Sequence, residues 1–147
     1  DFVINTAGIL KMGTLVSRTQ NDIMEEIKIN YLGSVNVVKA STPYLKKTKG
    51  GILLFTSSSF TRGRALYSIY SSTKAAIVNF MQAQADELSM MDIKINAINP
   101  ERTDTEMRNH NFGYEPKSKL LQPSIVAKVS LQTLLSDYTG QVIDIRK

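Results

Sequence analysis

The chain has 147 residues, 42% hydrophobic and 21% charged, with 8 glycines and 4 prolines; this is one domain's length and neither a disordered nor a collagen-like composition. The absence of cysteine excludes a disulfide framework and a cysteine nucleophile, a lone histidine, His110, excludes a multi-histidine metal cluster, and no apolar run is long enough to span a membrane. The net charge of +5 raises nucleic acid as a partner, but the basic residues are dispersed and only Lys46, Lys47 and Lys49 cluster, where a helix C-terminus favours cations anyway.

In chain order, Phe2-Val3-Ile4-Asn5 reads as a strand that begins almost at the first residue. A start at Asp1 rather than Met, already inside a strand, reads as a fragment of a longer chain. A helix is expected over 19–47, opened by the near-capping box Thr19-Gln20-Asn21-Asp22 and closed before Gly50-Gly51. Gly33 and Pro43 predict a kink or a loosened last turn within it. The next strand is 52–56. Both it and the first are almost continuously apolar, as in a parallel sheet covered on both faces. A second helix covers 66–90, with Ala75, Ala76, Ile77, Phe80 and Met81 on its apolar side. The third strand, 93–98, alternates more. Residues 102–122 are polar and long for a connector, which reads as a lid or substrate loop. A third helix starts at Pro123-Ser124, and a fourth strand occupies 142–145. Strands alternating with helices at this spacing predict an α/β fold, a Rossmann-like doubly wound parallel sheet of about four strands with flanking helices.

The chemistry centres on Tyr70-Ser71-Ser72-Thr73-Lys74. Positions four apart share a helix face, so a phenol and an ammonium reach one site. Taken alone, this spacing is weak, because the composition gives about half a match by chance. Other residues converge on the same place. Ser57 follows the second strand, Asn30 lies on the first helix, Asn5-Thr6-Ala7-Gly8 ends the first strand, and Asn99-Pro100 ends the third, followed by Thr105. Ligands of open α/β sheets bind outside the carboxyl ends of the strands. Each residue also has a plainer reading: a serine run after a strand often only caps a turn, Asn30 could serve a helix kink, and Tyr70 over a lysine stem is an ordinary surface pair. Tyr67 is the rival phenol, with Ser71 rather than a lysine four residues on.

These pieces together resemble the short-chain dehydrogenase/reductase family, in its order and spacing over the whole chain. The resemblance implies the second half of the family's sheet, with the first βαβαβ half and its Gly-rich turn absent. Residues 1–147 are therefore expected to be the C-terminal portion of one Rossmann-type reductase domain. It implies hydride transfer between a nicotinamide cofactor, NADP with NAD as the alternative, and a carbonyl/alcohol pair. Asn30, Ser57, Tyr70 and Lys74 would be catalytic. Tyr70 would donate the proton, Ser57 would hold the substrate oxygen, and Asn30 would anchor a water linking Lys74 to solvent. Asn5, Ala7, Gly8, Tyr70, Lys74, Pro100 and Thr105 would contact the cofactor. A Lys74 ammonium at about 4 Å would be worth about 4 kcal/mol at an effective dielectric near 20, lowering the phenol by up to about 3 pK units from about 10. The family implies homo-oligomers paired through the helices 19–47 and 66–90. Thr6 stands where the family has a second Asn, and Glu101 where it usually has Gly.

The substrate side is basic. Arg62, Arg64, Arg102 and Arg108 are the expected substrate-binding residues with Ser57, and they favour an anionic ligand. Pairing with Glu101, Asp104 or Glu106 is the alternative. A narrower similarity, carried by Asn99-Pro100-Glu101-Arg102-Thr103, Met107-Arg108, Phe112-Gly113, Glu115-Pro116 and Leu120-Leu121, is to the reductase module of bifunctional CDP-ribitol-forming enzymes. That resemblance implies reduction of ribulose 5-phosphate to ribitol 5-phosphate, a Glu after the proline, and a fused cytidylyltransferase domain upstream. Another polar ketone substrate, or a catalytically incomplete dimerising fragment, is the alternative. The expected location is cytoplasmic, with no metal, nucleic-acid or membrane partner.

Overall fold

The computed structural model describes residues 1–147. Its strands are β1 (Phe2–Asn5), β2 (Gly51–Phe55), β3 (Lys94–Pro100) and β4 (Val142–Ile145). They form one parallel sheet in the order β1-β2-β3-β4. The helices are α1 (Gln20–Ile27), α2 (Gly33–Thr48), α3 (Ser68–Ser89), α4 (Glu106–Phe112) and α5 (Pro123–Leu134). The result is the Rossmann-like architecture expected from the alternation of strands and helices. No helix is long and apolar enough to cross a membrane.

Successive residues of β2 point to opposite faces, and both faces are filled. Ile52 and Leu54 pack with Val38 and Leu45 of α2 and Ile77 and Met81 of α3. Leu53 turns the other way, to Leu121, Val126 and Leu134. Continuous apolarity at β2 is thus the mark of a doubly covered strand. β1 departs from that expectation: Phe2 and Ile4 are 50% and 43% exposed, and only the Val3 side meets the core.

β3 also departs from its reading. Its apparent alternation conceals five consecutive buried residues, Ile95 through Asn99. Asn96 is buried because its amide donates to Tyr138 O (2.7 Å) and its side-chain oxygen accepts from Gln141 N (3.1 Å). A polar side chain whose hydrogen bonds are supplied internally goes inside without a large penalty.

The helix over 19–47 is two helices joined by a π turn, Lys28–Leu32, in which Gly33 N bonds Lys28 O. The irregularity falls before Gly33, whose own φ of −56° is helical. Thr19 caps α1 by accepting from Asp22 N (3.1 Å), while its hydroxyl donates to the Asp22 carboxylate (2.7 Å). α2 runs through Pro43 and ends at Lys49, in the left-handed region at φ 52°. The second long helix starts at Ser68 rather than 66, because Leu66 sits at φ 68°. The polar 102–122 segment holds α4 and a short turn at Lys117–Lys119.

Where α2 hands over to β2, Gly50 lies against the start of β1. A methyl there would overlap the Asp1 carbonyl and stand 2.8 Å from Leu45 Cδ2. Gly50→Ala should therefore lower stability by about 2 kcal/mol, within the range for overpacked sites, read as a fall in the urea midpoint at unchanged m-value. An unchanged midpoint would mean that β1 is not seated this closely.

Candidate active site

The carboxyl ends of β1, β2 and β3 open on one cavity of about 270 Å³. Gly8, Ser57, Tyr70, Lys74, Pro100 and Thr105 all line it. Asn5 and Ala7 do not. Asn5 is buried, donating to Ser34 Oγ (3.1 Å) and accepting from Ala7 N (3.2 Å), so it shapes the turn after β1, while Ala7 is exposed.

Lys74 is 5% exposed. Its Nζ donates to Phe55 O (2.8 Å), and its backbone carbonyl accepts from Thr56 Oγ1 (2.9 Å). Burial alone brings its ammonium down from 10.5 to about 8, since a low-dielectric site disfavours the charged form. Its Nζ stands 5.5 Å from the Tyr70 ring centroid. The phenol of Tyr70 is pushed up from 10.0 to about 12, chiefly by burial. The neighbouring Ser57 hydroxyl works the other way, and the Glu26 charge and Tyr67 add to the rise. This reverses the expectation that Lys74 makes the phenol acidic. In the protein alone desolvation dominates, and the Lys74 ammonium directs its proton at a backbone carbonyl rather than at the phenol. The Ser57 hydroxyl accepts from Ser59 N (3.3 Å) and Ser59 Oγ (3.2 Å).

Asn30 sits in the π turn and is fully buried. Its Oδ1 accepts from Ile9 N (2.8 Å), and its Nδ2 donates to Ile9 O (2.9 Å) and Thr73 Oγ1 (3.2 Å). The Asn30 side chain grips the loop after β1 and ties it to α3. Gly8 on that loop lies so close that a Cβ would stand 3.3 Å from Asn30 Oδ1 and 3.5 Å from Lys74 Nζ. Thr105 caps α4, accepting from Arg108 N (3.3 Å).

The four arginines part company. Arg102 and Arg108 line this cavity and an adjoining one of about 470 Å³; Arg64 lines only the second, and Arg62 lines neither. The partner of Arg102 and Arg108 is Glu115, not the acids expected from sequence: it lies 2.6 Å from Arg108 and 3.4 Å from Arg102. Arg108 also stacks on Phe112, 4.6 Å from its centroid.

Sequence reasoning missed two contributors, Glu26 and Arg146, and considered a third, Tyr67, only as a rival phenol. Glu26, wholly buried, accepts from Lys11 N (3.1 Å) and pairs with Arg18 (3.0 Å). Its position one turn before Asn30 was the available signal. Tyr67 lines both cavities, edge-on to Tyr70 at 6.3 Å and to Phe112 at 5.7 Å. Arg146 lines the second cavity, with no local pattern that could have announced it.

A model of the short chain dehydrogenase family matches residues 1–115. Over 145 residues the chain is 50% identical to the bifunctional ribulose 5-phosphate reductase/CDP-ribitol pyrophosphorylase Bcs1 of Haemophilus influenzae, covering 99% of this chain and 31% of that protein. It is similar to the structure of ElxO with NADP bound, at a TM-score of 0.85 and 26% identity, covering 99% of this chain and 65% of that one. A 3-oxoacyl-[acyl-carrier protein] reductase from Brucella melitensis with bound NAD superposes at a TM-score of 0.83 and 29% identity, covering 99% and 60%. The chain thus spans under two thirds of the length of each of these.

Lys74 carries a stability signature. Between about 8 and 10.5 the unfolded chain holds the lysine proton and the folded chain does not, so stability rises with pH across that window. Above 10 the raised phenol opposes it, because the unfolded tyrosine ionises first. Lys74→Met should remove the rise and add about 1 kcal/mol at pH 7, from about 1.36 kcal/mol per pK unit less about 2 for the buried Phe55 carbonyl left without its charged donor. Urea titrations at pH 7 and 9.5 check this; an undiminished rise in the variant would assign it elsewhere.

Proposed function

The chain belongs to the short chain dehydrogenase family, and we propose that it supplies the proton-transfer machinery of an NADP-dependent reductase acting on a phosphorylated sugar, ribulose 5-phosphate to ribitol 5-phosphate. The observation that carries this reading is a single one. Ser57, Tyr70 and Lys74 line one cavity, and a second, arginine-lined cavity opens beside it. The Haemophilus relative, 50% identical, is named for ribulose 5-phosphate reduction.

The residues present fit a nicotinamide cofactor. Gly8 carries no Cβ where one would press on Asn30 Oδ1 and touch Lys74 Nζ, which leaves that wall open beside a cation. When bound, the cofactor supplies the hydride for the carbonyl carbon. Everything else falls to the chain. Ser57 Oγ donates a hydrogen bond to the substrate carbonyl oxygen and fixes it beside the phenol. Tyr70, fully protonated at neutral pH because burial holds its proton tightly, transfers that proton to the same oxygen as it becomes the alcohol. Negative charge then passes to the phenol oxygen, and the Lys74 ammonium stabilises it in a low-dielectric site. Lys74 is charged below about pH 8, so reduction should weaken above that pH. Asn30 acts at one remove, holding the loop that carries Gly8 to the helix that carries Tyr70. Thr105 and Pro100 complete the cofactor side. Arg64, Arg102 and Arg108 make the neighbouring wall cationic and so favour a phosphate. NAD is the competing cofactor, and another polar ketone the competing substrate. By analogy with the bifunctional relative, a fused cytidylyltransferase would use the polyol phosphate.

In the full-length protein, Tyr70→Phe should lower kcat/KM for NADPH-dependent ribulose 5-phosphate reduction about a thousandfold, within the range for losing a general acid, and leave NADPH affinity within threefold. Retained activity would remove Tyr70 from the reaction. The wild type should prefer ribulose 5-phosphate over unphosphorylated ribulose at least a hundredfold in kcat/KM; equal rates would remove the phosphate from the reading.

A further inference from the structure

The cavity beside the catalytic one, of about 470 Å³, is lined by none of Ser57, Tyr70 or Lys74. Ser58, Tyr67, Glu101, Arg102, Arg108 and Phe112 belong to the walls of both cavities. The two spaces therefore adjoin across these six residues.

The charges in this second wall are not equivalent. Arg108 and Arg102 are committed to Glu115, and Arg146 pairs with Asp144 at 2.9 Å. Arg64 enters none of the protein's ion pairs, and neither does Glu101. Glu101 is rooted on a fixed backbone: its N donates to Ile145 O (2.9 Å), and its carbonyl accepts from Thr103 Oγ1 (2.8 Å). Its side chain accepts only from Lys147 N, at 3.3 Å. The cavity thus presents one guanidinium and one carboxylate that lie outside every ion pair and do not pair with each other, the carboxylate acting on Arg146 only at longer range.

Each makes a separate chemical demand. A guanidinium offers a donor fork that matches phosphate. An ionised carboxylate only accepts hydrogen bonds, so its ligand must donate. A bare anion would leave Glu101 unmatched, and a neutral polyol would leave Arg64 unmatched. A chain with hydroxyls along its middle and an anion at its end answers both. We propose that the second cavity is the distal half of the substrate site, in which Arg64 binds the terminal phosphate and Glu101 accepts the hydroxyls between phosphate and carbonyl. The assignment rests on the sugar-phosphate reading above and makes Glu101 the residue that distinguishes a polyol chain from an aliphatic one.

Titration calorimetry on the full-length protein with saturating NADP tests this, using ribitol 5-phosphate, ribitol and pentyl phosphate as probes. The wild type should bind ribitol 5-phosphate at least tenfold more tightly than either other probe. Glu101→Gln should weaken ribitol 5-phosphate about tenfold and pentyl phosphate less than twofold. Arg64→Ala should weaken both phosphates about tenfold and ribitol less than twofold, with Arg64→Lys in between. The proposal is overturned if the wild type shows no such preference, if Glu101→Gln affects the two phosphates alike, or if Arg64→Ala spares them. Should the binding pattern hold while ribulose 5-phosphate is not reduced, the reductase reading fails and the subsite stands; reduction without the pattern does the reverse.

Discussion

Lys74 is fastened at both ends to the last residue of β2 and the residue after it. Its ammonium donates to the Phe55 carbonyl and its own carbonyl accepts from the Thr56 hydroxyl. These two bonds fix α3 against the end of β2, and with it the spacing between Ser57, just beyond the strand, and Tyr70, one helical turn before the lysine. The sheet core supplies most of the stability, through apolar residues on both faces of β2, by contacts that are not directional. The polar stitch at Lys74 is directional, because buried donors and acceptors that miss their partners cost more than the bonds gain.

The same burial sets the electrostatic state of the protein before any ligand arrives. Desolvation holds the proton on Tyr70 and loosens it on Lys74, so both groups are pressed toward neutrality. Such a pair is poised rather than relaxed. A developing negative charge on the phenol oxygen finds a nearby cation that water does not screen, where attraction is several times stronger than at a surface. The cost of keeping that cation buried falls on stability, a common arrangement where a site needs charges that the fold alone would not choose.

How much of this was legible depended on the period over which each pattern runs. β2 was legible because a strand buried on both faces must be apolar at every position, and Ile52, Leu53 and Leu54 are. The Tyr70–Lys74 pair was legible because four-residue spacing fixes a shared helix face. Its meaning came from agreement with Ser57, Asn30 and the strand ends, of which Ser57, Gly8 and Pro100 border one cavity while Asn30, Asn5 and Ala7 do not. β3 misled because Asn96 looks like a solvent-facing residue and is satisfied internally by the chain 42 and 45 residues later. The arginines misled for a related reason. Clustering in sequence says nothing of which side of a turn a side chain leaves from, and Arg62 and Arg64 part at that point. Glu115 took the ion pairs expected of nearer acids, since a reversal of the 102–122 segment brings it back to Arg102 and Arg108. The direction of the Tyr70 shift was misjudged because charge separation can be guessed from spacing, whereas burial depth cannot.

The π turn at Lys28–Leu32 has an evolutionary corollary. It amounts to one extra residue accommodated inside an otherwise continuous helix. Removing a single codon there would restore regular bonding and turn everything before it by about 100° relative to everything after. Glu26 and Asn30 would swing off the loop that they hold while Ser34 and Val38 kept their places in the interior. The smallest in-frame deletion in this stretch would thus yield a better helix and a dismantled site. Length in this segment is therefore under tighter constraint than the identity of most residues within it.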